Sequence, residues 1–187
     1  MMTGKIFLIG LSIVFGILSN SHEPKLDEEK KVKMRSYGFQ DKGFIPVEYT
    51  CDGENMSPPI IWGPLPNGAK STAIIMEDPD APKKDFVHWI VFNIPPDINK
   101  LTENFSSQKY KGLSIKEGLN DTGEIGYFGP CPPSGTHKYL FKIYVLDTIL
   151  DFEDDTEITK EELLEAMKGH ILEENELTGK YKRANIN

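Results

Sequence analysis

Proline and glycine punctuate this chain so densely, 13 and 16 times in 187 residues, that the regular segments between them are short. Thr72-Ala73-Ile74-Ile75-Met76, residues 88–94 and residues 139–146 are β-branched or aromatic runs of strand length, each bounded by Pro, Gly or Asp. Val47-Glu48-Tyr49-Thr50 and Ile60-Ile61-Trp62 read as shorter strands. Leu140-Phe141-Lys142-Ile143-Tyr144-Val145-Leu146 is largely apolar, which predicts a central strand covered on both faces, as in a sandwich of two sheets. One helix is predicted near the C-terminus. Thr159 and Glu162 form a capping-box pattern, and Leu163, Leu164, Met167 and Ile171 then follow at helical spacing. The acidic run at 151–157 reads as a solvated loop, and the fold class is mostly β.

The N-terminus has a basic residue, Lys5, an apolar run over 6–18, and then Ser19-Asn20-Ser21. This order predicts a secretory signal peptide over 1–21, with cleavage before His22. The run is short of the roughly 20 apolar residues that a spanning helix needs, so no transmembrane anchor is expected after cleavage. Residues 22–35 read as a low-order charged linker, and 36–187 as a single domain. Secretion or a periplasmic location follows.

Formal net charge is −8, and removal of the leader takes away only one charge, Lys5. Nucleic acid is therefore not an expected partner, because it needs a basic face. Cys51 and Cys131 are the only cysteines. They are either a disulfide, worth roughly 4 kcal/mol in the chain-entropy model, or two buried thiols.

Asp78-Pro79-Asp80-Ala81-Pro82 carries the clearest chemical signal. Both prolines push the preceding residue out of helical geometry, so Asp78 should stand at a strand end on a rigid turn. By the two-residue period His88, Ile90 and Phe92 should share one strand face, opposite Trp89, Val91 and Asn93. His137 and Tyr139 likewise share a face. If these strands are neighbours, an acid, two imidazoles and a phenol meet at one sheet rim beside the glycine- and proline-rich loop 129–135. Imidazoles with free backbone N–H groups suit a phosphate, sulfate or carboxylate. Asp78 would keep His88 or His137 protonated and aimed.

An enzyme using Asp78, His88 and His137 as metal ligands, or as acid and base for hydrolysis, is the alternative. The spacings H-E-x-x-H and G-x-S-x-G are missing, so no catalytic residue, metal or cofactor is expected.

Several ordered motifs resemble the phosphatidylethanolamine-binding protein family, in its bacterial and archaeal branch of YbhB/YbcL or Raf-kinase-inhibitor-like proteins. They are Cys51-Asp52-Gly53-Glu54-Asn55-Met56-Ser57-Pro58-Pro59 with Trp62, the Asp78 to Pro82 turn, His88-Trp89, and Gly129-Pro130-Cys131-Pro132-Pro133 with Gly135, His137 and Tyr139. Leu177-Thr178-Gly179-Lys180-Tyr181 adds to them. The resemblance implies an antiparallel β-sandwich with peripheral helices and one anion pocket. Asp78, His88, His137 and Tyr139 would line it with Gly129, Pro132 and Pro133. Implied partners are a small anion or phospholipid head group, and a protease or kinase for an inhibitor-like role. Lys138, where animal relatives often have Arg, sits on the strand face opposite His137.

Overall fold

The computed structural model describes residues 31–83, 85–152 and 157–184. The signal-peptide reading of 1–21 lies outside them, as do most of the linker and residues 153–156 of the acidic run. No helix among the described residues is long and apolar enough to cross a membrane.

The chain is ordered earlier than its charge density implies. Val32 and Met34 are buried while Lys31, Lys33 and Arg35 are exposed, so apolar and basic residues alternate with the period of a strand. This strand, β1 (Met34–Ser36), pairs with β2 (Ile60–Trp62), and β2 pairs with β5 (Lys100–Leu101). Part of the predicted linker is thus an edge of the smaller sheet.

The larger sheet has five strands in the order β6-β4-β3-β7-β8. They are β3 (Ser71–Asp78), β4 (Phe86–Ile94), β6 (Lys116–Glu117), β7 (His137–Leu146) and β8 (Ile171–Tyr181), every pairing antiparallel. Every residue of β3 is buried, and it lies at the centre, with β7 beside it. Ile74, Met76, Trp89, Val91, Phe141 and Ile143 face Met34, Ile60, Trp62 and Leu101 of the smaller sheet in the main core. Ala73, Ile75, Ile90, Phe92 and Leu146 face outward onto Leu163 and Met167 of the helix α1 (Lys160–Met167). Two apolar layers on one sheet explain why its strands read as nearly continuous hydrophobic runs.

Two predicted elements differ. Val47–Tyr49 is a turn of 3-10 helix, with Tyr49 N–H donating to the Pro46 carbonyl at 3.1 Å. Proline sets φ at the turn entrance, and the β-branched Val47 alone does not hold the segment extended. Helix α1 begins at its predicted capping box. It ends at Met167, because Gly169 adopts a left-handed φ of 82°. Ile171 opens β8 and is 41% exposed instead of extending the helical stripe, and Leu164 is 37% exposed.

Cys51 and Cys131 form a disulfide, with Cα atoms 5.4 Å apart and a sequence separation of 80. It ties the segment after the 3-10 turn to the loop that precedes β7.

Candidate functional site

Asp78, the last residue of β3, enters a turn that the following prolines keep out of helical geometry. Its Oδ1 accepts the Asp80 backbone N–H at 2.8 Å, and its Oδ2 accepts from His137 Nδ1 at 2.7 Å. Asp80 in turn accepts the Lys138 backbone N–H at 2.9 Å. Both carboxylates of the Asp-Pro-Asp turn therefore clasp the first residues of β7. Asp78 is 3% exposed and His137 8%. The pair is held at the rim of the sheet, with Nε2 of His137 turned away from the bond.

His88 arrives by a route that simple alternation misses. Met76 pairs with Trp89 but Glu77 pairs with Val87, so His88 is the extra residue of a bulge in β4. A bulge re-aims a side chain. His88 leaves Ile90 and Phe92 on the outer layer and comes out beside Tyr139, whose ring it meets edge-on at 5.2 Å. Its Nδ1 donates to the Phe128 carbonyl at 2.7 Å, while Phe128 N–H donates to the His88 carbonyl at 2.9 Å. The Phe128 ring stacks on the imidazole at 5.6 Å, and Phe86 packs against it at 4.9 Å.

A carbonyl can only accept, so Nδ1 carries the hydrogen and Nε2 of neutral His88 has a bare lone pair. Burial pushes the His88 imidazole below its ordinary range, against the pull of the Phe128 carbonyl and the Asp78 and Asp121 carboxylates. Asp78 therefore aims His137, and His88 is kept neutral. Of the two imidazoles that Asp78 was expected to aim, it bonds His137.

Tyr139 Oη is buried and makes no hydrogen bond of normal geometry among the described residues, although the Asp78 carboxylate and the Cys131 backbone lie beside it. Burial first, then the neighbouring Asp78 carboxylate, hold the phenol well above its ordinary range, so it remains a neutral O–H. Among the described residues neither histidine's Nε2 has a protein partner, and neither is sealed from solvent.

The loop plays a different part from the predicted one. Gly129 N–H does not face a ligand: it donates to Asn55 Oδ1 at 2.7 Å. A Cβ there would lie 2.7 Å from both Asn55 Oδ1 and the Tyr49 carbonyl, so glycine serves close packing. Pro132 is buried and Pro133 exposed. Asp52, from the same motif as Asn55, accepts from Tyr181 Oη at 2.8 Å and from both Nε and Nη2 of Arg183. Arg183 and Tyr181 hold the Asp52 carboxyl below its usual range. The 51–59 motif is thus a brace that fixes loop 129–131 through a disulfide, the Asn55 amide and the Cys51 backbone N–H on the Pro130 carbonyl, while the Asp52 carboxylate ties it to the end of β8.

Sequence reasoning assigned no part to Phe86, Phe128, Asn55 or Asp80. Phe86 lies two residues before His88, a signal within reach; a backbone carbonyl such as that of Phe128 leaves none. Lys138 projects into solvent. Among the described residues no three His, Cys, Asp or Glu side chains gather into a metal-binding set. The site offers donors at Tyr139 and, when protonated, His137, and one acceptor at His88.

The family profile described as phosphatidylethanolamine-binding protein matches residues 35–182. The chain belongs to the phosphatidylethanolamine-binding protein family. Among relatives in that family, a UPF0098 protein of Methanothermobacter thermautotrophicus is 50% identical over 152 residues, 81% of this chain and 99% of the relative. A phosphatidylethanolamine-binding protein homologue from Chlamydia trachomatis superposes with a TM-score of 0.75 at 40% identity, covering 82% of this chain and 99% of that one. YbcL of E. coli, described as a new member of the mammalian PEBP family, gives 0.74 at 27% identity over the same shares. The phosphatidylethanolamine-binding protein fold of these neighbours is the antiparallel sandwich found here, with one helix near the C-terminus.

Proposed function

We propose that this protein binds a small anion of the phosphate class, free or as a phospholipid head group, between Asp78, His88, His137 and Tyr139. The observation that carries this reading is His137, aimed by Asp78 at 2.7 Å, beside the buried Tyr139 hydroxyl, which makes no hydrogen bond of normal geometry among the described residues. A buried donor left unmade costs roughly 1–3 kcal/mol, and a ligand oxygen would satisfy it. His137, aimed by Asp78, supplies the second donor. The family's name points to the same chemistry.

Binding rather than catalysis is supported by the commitment of Asp78. Each of its oxygens already accepts a hydrogen bond, so it orients and does not carry protons. Export is supported by the Cys51–Cys131 disulfide, which persists in oxidising compartments. Residues 133–136 are all exposed on a loop tethered at Cys131, which favours a second reading as a surface that contacts a protease.

Calorimetric titration with inorganic phosphate at pH 6 tests the first reading. His137→Ala should weaken binding by about tenfold or more, the loss of one charged hydrogen bond. Unchanged affinity would overturn it. Protease inhibition retained in His137→Ala but lost when 133–136 are replaced by Gly and Ser would support the loop reading instead.

A further inference from the structure

Resting on the anion-binding reading above, we infer that the site selects a phosphoryl group that carries its own proton, a phosphate monoester in its singly charged form, over a phosphodiester. The argument is one of donors and acceptors. The Phe128 carbonyl fixes hydrogen on His88 Nδ1, so Nε2 is presented to the site as a lone pair. An anion with no hydrogen turns an oxygen lone pair toward that nitrogen and gains nothing. A P–O–H group donates to it.

The groups that face His88 come from each element around it. They are Asp78 on β3, His137 and Tyr139 on β7, Asp121 and the Phe128 carbonyl in the loops, and Phe86 on β4 itself. Two of these are carboxylates, and burial opposes a charge on His88. A positive charge on His137 is matched by Asp78 at 2.7 Å. A dianion would bring two negative charges to a place that already holds the Asp78 and Asp121 carboxylates. A proton on the ligand halves that charge and supplies the hydrogen His88 accepts.

The ligand geometry follows. One oxygen accepts from Tyr139 Oη, one accepts from His137 Nε2, and the P–O–H donates to His88 Nε2. The ester oxygen and its substituent point outward past the half-buried rings of Phe86 and Phe128. An intact phospholipid is a diester and lacks the donor. A site built to pair with a ligand hydrogen rejects the analogue that lacks it, because its own buried group is then left unpaired.

The test is calorimetric titration of the whole chain from pH 5 to 8 with three probes: O-phosphoethanolamine, glycerophosphoethanolamine and a phosphonate analogue of the first. The monoester should bind about tenfold tighter at pH 5 than at pH 8, with a midpoint near its own second ionisation at about 6. The phosphonate, which ionises at higher pH, should carry its midpoint up with it. The diester should bind about tenfold more weakly than the monoester at pH 5, and should lose affinity with rising pH only as far as His137 gives up the proton it donates. His88→Gln, whose amide can turn either way, should bring monoester and diester to similar affinity. A midpoint that stays put when the phosphonate replaces the monoester would assign the pH dependence to a histidine and overturn the inference. So would equal affinities of the wild type for diester and monoester. Failure of all three probes and of inorganic phosphate to bind at any pH would sink the anion-binding reading itself.

Discussion

Tyr139 concentrates the tension between stability and binding in a single atom. Its ring is fully buried, where it contributes to the core, while its hydroxyl makes no hydrogen bond of normal geometry among the described residues. Tyr139→Phe keeps the ring and removes the orphan. The variant should be as stable as the wild type or more stable by up to about 1 kcal/mol in guanidinium unfolding, yet bind inorganic phosphate several-fold more weakly. Loss of stability without loss of binding would show that the hydroxyl serves the fold. Asp78, His137 and Tyr139 were readable beforehand from proline restriction and the two-residue period. The face of His88 was not, since a bulge depends on how one strand is registered against another, a relation between residues far apart in sequence.

At the level of elements, Glu77 shows how the outer layer is fastened. It neighbours Asp78 on β3 but points to the opposite face, where it is 3% exposed and receives Lys142 of β7 and Lys160 of α1, the latter at 2.5 Å. Burial alone would raise its pKa, but hydrogen bonds from the two lysines outweigh that and hold it below 4.5. A carboxyl depressed by folding adds stability that is present above its unfolded pKa and is lost as pH falls through the folded value. Glu77→Gln should therefore cost about 2 kcal/mol at pH 7, with the gap to the wild type narrowing steadily as pH falls through the acid range in urea unfolding. A gap that does not narrow in acid would mean that packing, not charge, is what the substitution removed. The cap of α1 was legible in Thr159 and Glu162 because a capping box is local. Strand β8 was not, because Glu173, Glu174 and Glu176 carry no strand signal, and pairing with β7 holds them extended.

Across the whole molecule, the disulfide links the brace at 51–59 to the loop whose Phe128 carbonyl orients His88. Closing 80 residues limits the unfolded chain by about 4 kcal/mol on entropy alone. A Cys51→Ala, Cys131→Ala double variant should lose stability of that order in guanidinium unfolding and weaken phosphate binding further than His88→Gln does. Full binding in the double variant would show that the Asn55 amide and the Cys51 backbone bond to Pro130 brace the loop without it. The chain by itself determined its strand-rich class, the rigid Asp-Pro-Asp turn and the capped helix, all of which rest on contacts within a few residues. Val32 and Met34 show the limit even there, since Lys31, Lys33 and Arg35 around them hid a strand that only a facing sheet reveals. Tertiary structure alone decided that Asp78 holds His137 across 59 residues, that His88 Nδ1 is committed to the Phe128 carbonyl, and that Cys51 and Cys131 are joined. These outcomes depend on strand register, burial and close approach between distant segments, and no local preference encodes them.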